Sequence, residues 1–263
     1  MVAMRIGFIG FGEVSSTLSQ FFKDKVEVQT CVKGRSEKTK KIAKKLGVKI
    51  YKDYKDLVKN SDIVISAVTP FSALDVAKKY GKYVKGIYVD VNNVSPLTKH
   101  KILKYIDEEK FVDCAIIGRI KRKFKMICSG KNANKLKILE KFGVPIEVIG
   151  SKVGEASTLK MLRSLYTKSL AAILLEVFSV ANKLGLIDEL LEILEETEGK
   201  KFVDLCKSRV VGSFIHSRRR YEEICEIEKF ILSHNLKPIM IKCTKNMFKH
   251  IEDVDKDYIK KFK

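Results

Sequence analysis

Residues 6–16 read IGFIGFGEVSS: an apolar, β-branched run that breaks at Gly10, Gly12 and Ser15 and then continues as a helix-forming stretch. The spacing nearly spells G-x-G-x-x-G, and it lies where a dinucleotide fingerprint belongs, after a strand and at the start of a helix. Gly10 makes the tight turn in this reading. Gly12, with Phe11 and the helix-opening residues Glu13 and Val14, brings backbone amides to a pyrophosphate at the helix N-terminus. Ser15 replaces the third glycine, which eases helix–strand packing, and serine is small enough to cost little there.

The second strand of such a unit selects the dinucleotide. An acidic residue at its end accepts the ribose hydroxyls of NAD, whereas an arginine accommodates the 2′-phosphate of NADP. The chain has CVKGRSEKTKK (31–41) there, with Arg35 as a planar fork, Ser36 as a hydroxyl donor, and Lys33 and Lys38 adding positive field. NADP(H) is the expected cofactor.

Outward from this unit the grammar is consistent up to residue 150. MRIGFIG (4–10), VEVQTCV (26–32), DIVISAV (62–68), GIYVDVN (86–92) and FVDCAII (111–117) are short, nearly continuous apolar runs, as buried parallel strands are. Amphipathic stretches such as 13–24 and 70–83 separate them. FKMICSG (124–130) and VPIEVIG (144–150) read as two closing strands with a helix between. After Gly150 the period changes: residues 153–185 carry apolar side chains at i, i+3, i+4, i+7 for about nine turns, and further helices follow at 186–199 and 217–232. The expected fold is α/β, a Rossmann-type, mostly parallel sheet domain (1–150) followed by an all-helical C-terminal domain (151–263) for substrate binding and dimerisation.

Composition bounds the rest. The 263 residues are 45% hydrophobic and 32% charged, enough for a sizeable core. No run approaches the roughly 20 uninterrupted apolar residues of a bilayer span. Arg5 interrupts the place of a signal peptide, so a cytoplasmic location is expected. Met4 reads as the natural start, with MVA before it adding nothing to the pattern. Six cysteines form no C-x-x-C and four histidines no H-x-x-H, so reduced thiols and no metal are expected. Formal net charge is +20. Residues 1–150 hold 31 Lys and Arg against 15 Asp and Glu, and residues 151–263 hold 21 against 17. A basic surface suits a small anionic substrate or nucleic acid; the absence of a basic helix interleaved with stacking aromatics speaks against nucleic acid.

Several stretches together resemble the β-hydroxyacid dehydrogenase group, which includes 6-phosphogluconate and 3-hydroxyisobutyrate dehydrogenases. VTP (Val68, Thr69, Pro70) lies where that family lines the nicotinamide ribose. DVNNVSP (90–96) resembles its D-x-S-T-x-x-P loop, with Asn92 and Asn93 in place of the Ser-Thr pair. DCAIIGR (113–119) is similar to D-A-P-V-S-G-G, with Ile117 for Ser and Arg119 after Gly118. GEASTLK (154–160) resembles G-x-G-x-x-x-K. The resemblance implies Asn92 at the cofactor, Asn93, Gly118 and Arg119 at the substrate, and Lys160 as general acid/base, with Ser164 where the family has Asn. A lysine desolvated beside another cation suits proton exchange with a carbinol, and Arg163 could hold a carboxylate or phosphate. HSRRRYEE (216–223) resembles the arginine-rich helix of a less studied branch of 6-phosphogluconate-dehydrogenase-like proteins. There His216, Arg219 and Arg220 either clamp an anion or join an internal salt-bridge network.

The expected activity is NADP-dependent oxidation of a small anionic 3-hydroxy acid, or reduction of its carbonyl. An imine reductase, or a non-catalytic NADP-binding sensor or nucleic-acid-binding protein, stays open. The long helix and small helical domain predict a homodimer.

Overall fold

The computed structural model describes residues 4–254 and 257–262; the reading of MVA before Met4 lies outside them. The chain divides into two compact units, Met1–Lys160 and Met161–Lys263.

In the first unit an eight-stranded sheet is built from β1 (Arg5–Ile9), β2 (Glu27–Cys31), β3 (Lys49–Tyr51), β4 (Ile63–Ser66), β5 (Ile87–Asp90), β6 (Phe111–Gly118), β7 (Phe124–Ser129) and β8 (Ile146–Gly150), in the order β3-β2-β1-β4-β5-β6-β7-β8. Neighbours pair in parallel except β6 and β7, which are antiparallel. Five residues separate those two strands, too few for the crossover that a parallel pair requires. The helices α1 (Glu13–Phe22), α2 (Glu37–Lys45), α3 (Tyr54–Lys59), α4 (Pro70–Tyr80) and α5 (Pro96–Ile102) connect the parallel strands, and a 3-10 helix (Ala133–Phe142) precedes β8. Apolar side chains cover both faces of the sheet. Phe8, Leu18 and Phe22 lie in one cluster with Met126 and Leu136; Ile9, Val64, Tyr88 and Phe111 lie in another.

The C-terminal ends of β5 and the start of β6 carry a charge cluster. Asp90 and Asp113 are register partners on adjacent strands, and Lys99 of α5 reaches both. All three side chains are fully buried. Lys99 Nζ lies 2.5 Å from Asp90 Oδ1, 2.8 Å from the Asp90 carbonyl oxygen and 3.1 Å from Asp113 Oδ1. The second oxygen of Asp113 accepts the backbone N–H of Ser157 at 2.9 Å, and Ser129 Oγ accepts that of Ala156 at 3.1 Å. Two orphan amides at the start of α6 (Glu155–Leu184) are thus satisfied from β6 and β7. Burial works to lower the Lys99 ammonium, but Asp90 and Asp113 hold it above the ordinary lysine range.

The second unit is helical: α6 from Met161 on, α7 (Ile187–Glu198), α8 (Lys200–Ile215), α9 (Ser217–Ser233) and α10 (Ile239–Lys249). Its core joins Ala171, Leu175 and Phe178 of α6 to Cys206, Val210, Ile224, Ile227, Ile241 and Tyr258. By length and composition α6 could cross a membrane, with mean hydropathy 1.4 over 18 residues. Its buried side chains nevertheless form this core, while Leu162, Tyr166, Ile173, Val177, Val180 and Leu184 stay exposed.

Lys99→Met leaves two carboxylates facing each other in a dry interior. It should lower stability by about 3–5 kcal/mol in urea unfolding; a loss under about 1 kcal/mol would show that the cluster holds nothing together. Because the folded state raises the Lys99 pKa, the wild-type contribution is complete below pH ~10.4 and fades as pH rises through the folded value.

Candidate active site

β1, β2, β4, β5 and β6 run parallel and adjacent, so their C-terminal ends share one edge of the sheet. That edge is where an open α/β sheet binds ligands. It collects Gly10 to Val14 after β1, Arg35 and Ser36 after β2, Val68 to Pro70 after β4, Asn92 and Asn93 after β5, and Gly118 and Arg119 where β6 ends.

The glycine turn is specific at both positions. Gly10 has φ +84°, and a Cβ there would come 2.4 Å from the Ala67 carbonyl oxygen. Gly12, the exposed N-cap of α1, would point its Cβ into open space, with nothing within 4 Å. No side chain caps α1, so its first amides face outward beside that space. Phe11 is buried between the glycines, and its ring packs edge-on to Phe8. Ser15 does more than fit: its buried Oγ donates to the Gly10 carbonyl oxygen at 2.7 Å, tying the helix to the turn. Lys121, in the basic turn between β6 and β7, pairs with Glu13 at 3.1 Å and brings positive charge to the start of α1.

At the tip of β2, Arg35 is exposed and its Nε donates to the Tyr54 hydroxyl at 3.3 Å. Ser36 caps α2 through the amide of Thr39, and no carboxylate occurs between Cys31 and Ser36. At the tip of β4, exposed Thr69 and Pro70 open α4. Asn92 is nearly buried and fully engaged. Its Oδ1 accepts the Val68 amide at 2.7 Å, and its Nδ2 donates to Ser66 Oγ at 3.0 Å and to Asp90 Oδ2 at 2.9 Å. Asn92 therefore shapes the edge by joining the β4 and β5 tips, while its neighbour Asn93 is exposed.

Lys160 is half-buried on the second turn of α6 and is the last residue of the first unit. Arg163 is exposed and Ser164 half-buried, both in the helical unit. Of the arginine-rich set, His216 and Arg219 are exposed, and Arg219 pairs with Glu223 at 3.6 Å. Arg220 turns inward and donates to the carbonyl oxygen of Arg209 at 3.2 Å and to Ser213 Oγ. Arg220 thus joins α9 to α8.

Two sets of groups escaped the sequence reading. Lys99 shares the buried face of α5 with Pro96 and Ile102, three residues to either side; a lysine in an otherwise apolar i, i+3, i+6 row is the signal. Lys168 is buried on α6, seven residues after Met161 and four before Ala172, again in an apolar row. The cysteines are free, and burial raises the Cys114 thiol well above its ordinary value. Among the described residues no group of three His, Cys, Asp or Glu is placed to hold a metal.

An open glycine turn at the carboxyl edge of a doubly wound sheet is the arrangement that dinucleotide-binding domains share. Residues 5–94 match the family described as NADP oxidoreductase, coenzyme F420-dependent, and residues 181–251 match a domain of unknown function, DUF1932. The conserved protein MTH1747, of unknown function and structurally similar to 3-hydroxyacid dehydrogenases, is 42% identical, with 95% of this chain and 98% of that one covered and a TM-score of 0.82. A conserved hypothetical protein from Sinorhizobium meliloti 1021 is 26% identical over 98% of this chain and 91% of that one, at TM-score 0.80. Mycobacterium tuberculosis 3-hydroxyisobutyrate dehydrogenase shares the fold at 13% identity and TM-score 0.80, with 100% and 98% covered. A pyrroline-5-carboxylate reductase of Aquifex aeolicus is 27% identical over 111 residues, which span 42% of this chain and 41% of that protein. The chain belongs to the same family as MTH1747, whose structure is similar to those of 3-hydroxyacid dehydrogenases, and is an NAD(P)-dependent oxidoreductase by class.

The two glycines predict opposite failures. Gly12→Val should keep the melting temperature within about 2 °C while weakening dinucleotide binding at least about a hundredfold, since the new side chain fills only ligand space. Gly10→Ala should instead destabilise the fold by about 1–3 kcal/mol. Calorimetric titration and thermal unfolding of both variants separate the cases, and a Gly12→Val protein that binds normally would remove the turn from the site.

Proposed function

We propose that the protein is an NADP(H)-dependent oxidoreductase that interconverts a small anionic 3-hydroxy acid and its carbonyl, with Lys160 as general acid/base. The observation that carries this reading is the tip of β2, where Arg35 and Ser36 stand and no carboxylate competes for the ribose. A guanidinium fork there favours a 2′-phosphate, and the absence of an acid removes the acceptor that NAD uses. The basic turn that carries Arg119 and Lys121 adds field for an anionic substrate. Lys160 is supported by its position in GEASTLK and by its half-burial. Ser164, one turn further along α6, offers a hydroxyl on the same helical face. When bound, NADPH would supply the hydride for reduction and NADP+ would accept it in oxidation; the protein's part is to orient the substrate and move the hydroxyl proton at Lys160 Nζ.

Imine reduction is the second reading. The partial similarity to a pyrroline-5-carboxylate reductase favours it, as does the Asn92–Asn93 pair in place of Ser-Thr. Reduction of an imine also needs a proton donor, so Lys160 keeps its role.

The protein works in this reading as a cytoplasmic homodimer. The exposed apolar side chains of α6 recur at intervals of four, seven, four, three and four residues from Leu162 to Leu184, a seam that a second copy of the same helix matches. Light scattering should give twice the 30.0 kDa chain mass, and Val177→Lys with Val180→Lys should return it to one chain; a monomeric wild type would end this part of the proposal.

Calorimetry with NADPH and NADH tests the cofactor. NADPH should bind at least about tenfold tighter, a gap of roughly 1.4 kcal/mol, and Arg35→Ala should erase it. Lys160→Ala should lower kcat about a hundredfold or more on 3-oxo acids or cyclic imines with NADPH affinity unchanged. Equal affinity for the two nucleotides would refute the NADP assignment, and full turnover without Lys160 would refute its role.

A further inference from the structure

The helical unit concentrates cations where water screens them least. Lys168 of α6 is 7% exposed, and its ammonium lies 2.8 Å from Glu223 of α9, which also faces Arg219. Arg209 of α8 lies over the Tyr166 ring, 5.8 Å from its centroid, and donates to the Thr167 carbonyl oxygen at 3.0 Å. Its Nε is buried without a hydrogen-bond partner among the described residues. Arg220 spans from α9 to α8, bonded to the Arg209 carbonyl oxygen and Ser213 Oγ, and its second terminal nitrogen lies against Gly212, 2.9 Å from where a Cβ would be.

Among the described residues, the hydrogen bonds of these two guanidiniums go to carbonyl and hydroxyl oxygens. Among the described residues, Lys168, Arg209, Arg219 and Arg220 gather here with Arg163 acting on Arg209 as well, and Glu223 is a carboxylate that pairs with Lys168 and Arg219, so cations outnumber the carboxylate seen with them. The excess has a physical cost. Burial lowers Lys168; burial and Arg163 lower Arg209; burial, Arg219 and Arg209 lower Arg220 to about 10. Arg218, Arg219 and Arg220 also sit in the first turn of α9, at the positive end of its dipole. Proteins rarely bury charge without its counter-charge. In the sheet unit of this same chain, the Asp90–Lys99–Asp113 cluster meets that requirement with ion pairs and amide donors.

We propose that Lys168, Arg209 and Arg220, with Arg219 at the rim, form an oxyanion site in the helical unit for a phosphoryl dianion. A dianion offsets more of the excess than a single carboxylate does. The unpaired Nε of Arg209 and the guanidinium N–H groups of Arg209 and Arg220 that do not bond to Thr167, the Arg209 carbonyl oxygen or Ser213 supply the directed donors that a tetrahedral oxyanion takes. Glu223 pairs with Lys168 and Arg219 and competes with the incoming anion. The phosphoryl group is either an ester on the substrate or free phosphate. As a substrate group it rests on the anionic-substrate reading above; as a phosphate site it does not.

The test is calorimetric titration of inorganic phosphate into the full chain without nucleotide, at constant ionic strength with chloride as reference. Arg209→Lys, which keeps the charge and loses the fork, and Arg220→Gln should each weaken binding at least about tenfold. Gly12→Val should leave it unchanged. Glu223→Gln should tighten it severalfold, an effect that a merely structural salt bridge would not produce. Thermal unfolding in chloride confirms that each variant is folded. No saturable phosphate binding, binding lost in Gly12→Val but kept in Arg209→Lys, or weaker binding in Glu223→Gln would each overturn the proposal. The source is then separated by turnover with NADPH. A kcat/KM preference of tenfold or more for phosphorylated over unphosphorylated 3-oxo acids, lost in Arg209→Lys, makes it the substrate's phosphoryl group. Phosphate binding without that preference makes it free phosphate.

Discussion

Asp90 and Asp113 stand side by side on adjacent parallel strands, in a place with no access to water. Two like charges as cross-strand neighbours repel, and in a dry interior the repulsion is large. Lys99 makes the arrangement possible, and the positions of β5, α5, β6 and the start of α6 follow from it. The cluster still carries one excess negative charge. That charge is met by amide donors: the backbone N and side-chain Nδ2 of Asn92 at Asp90, and the backbone N of Ser157 at Asp113. Because Ser157 lies in the first turn of α6, the favourable end of that helix dipole faces the excess charge. An apolar triplet of similar volume could be equally stable, but it would not fix a carboxylate oxygen against one particular amide 44 residues away.

The same cluster reaches the ligand edge through Asn92. Its side chain accepts from Val68 N and donates to Ser66 and Asp90, so the tips of β4 and β5 are joined by one amide group. A Ser-Thr pair could not span these three partners from one position, since a hydroxyl has a single donor and a shorter reach. The replacement of the family's Ser-Thr pair by Asn92 and Asn93 therefore has a structural reason for its first member. The second stays exposed on the edge.

Most of the fold was legible because the relevant signals are local. The β1 turn declares itself through Gly10 and Gly12, the parallel strands through unbroken apolar runs, and α6 through thirty residues of one period. Two features were not. β3 is three residues long, with Lys49 and Ile50 exposed at the sheet edge, so it has neither length nor alternation to mark it. The reversal at β7 is a matter of connection length: residues 119–123 are too short for any crossover, an argument from geometry that composition does not contain. The site divides the same way. That Gly10, Gly12 and Arg35 stand at the carboxyl ends of β1 and β2 was readable from their spacing in the sequence. Whether an arginine such as Arg220 faces solvent or the interior depends on what packs against α9, and one helical turn of sequence cannot tell the two apart.

Charge shows most clearly how count and consequence separate. The first 150 residues carry an excess of sixteen positive charges, but most of those side chains are exposed and screened within about a Debye length. The remaining 113 carry an excess of only four, because acidic α7 and the glutamates of α9 offset the lysines. Even so, Lys168, Arg209 and Arg220, whose protonation the fold works against, lie in the helical unit. A solvated lysine steers an anion at long range and holds it weakly. A half-buried guanidinium whose donors are fixed by carbonyl oxygens loses little freedom on binding and works in a lower dielectric. The basic sheet unit is therefore suited to attracting anions, and the nearly balanced helical unit to holding one.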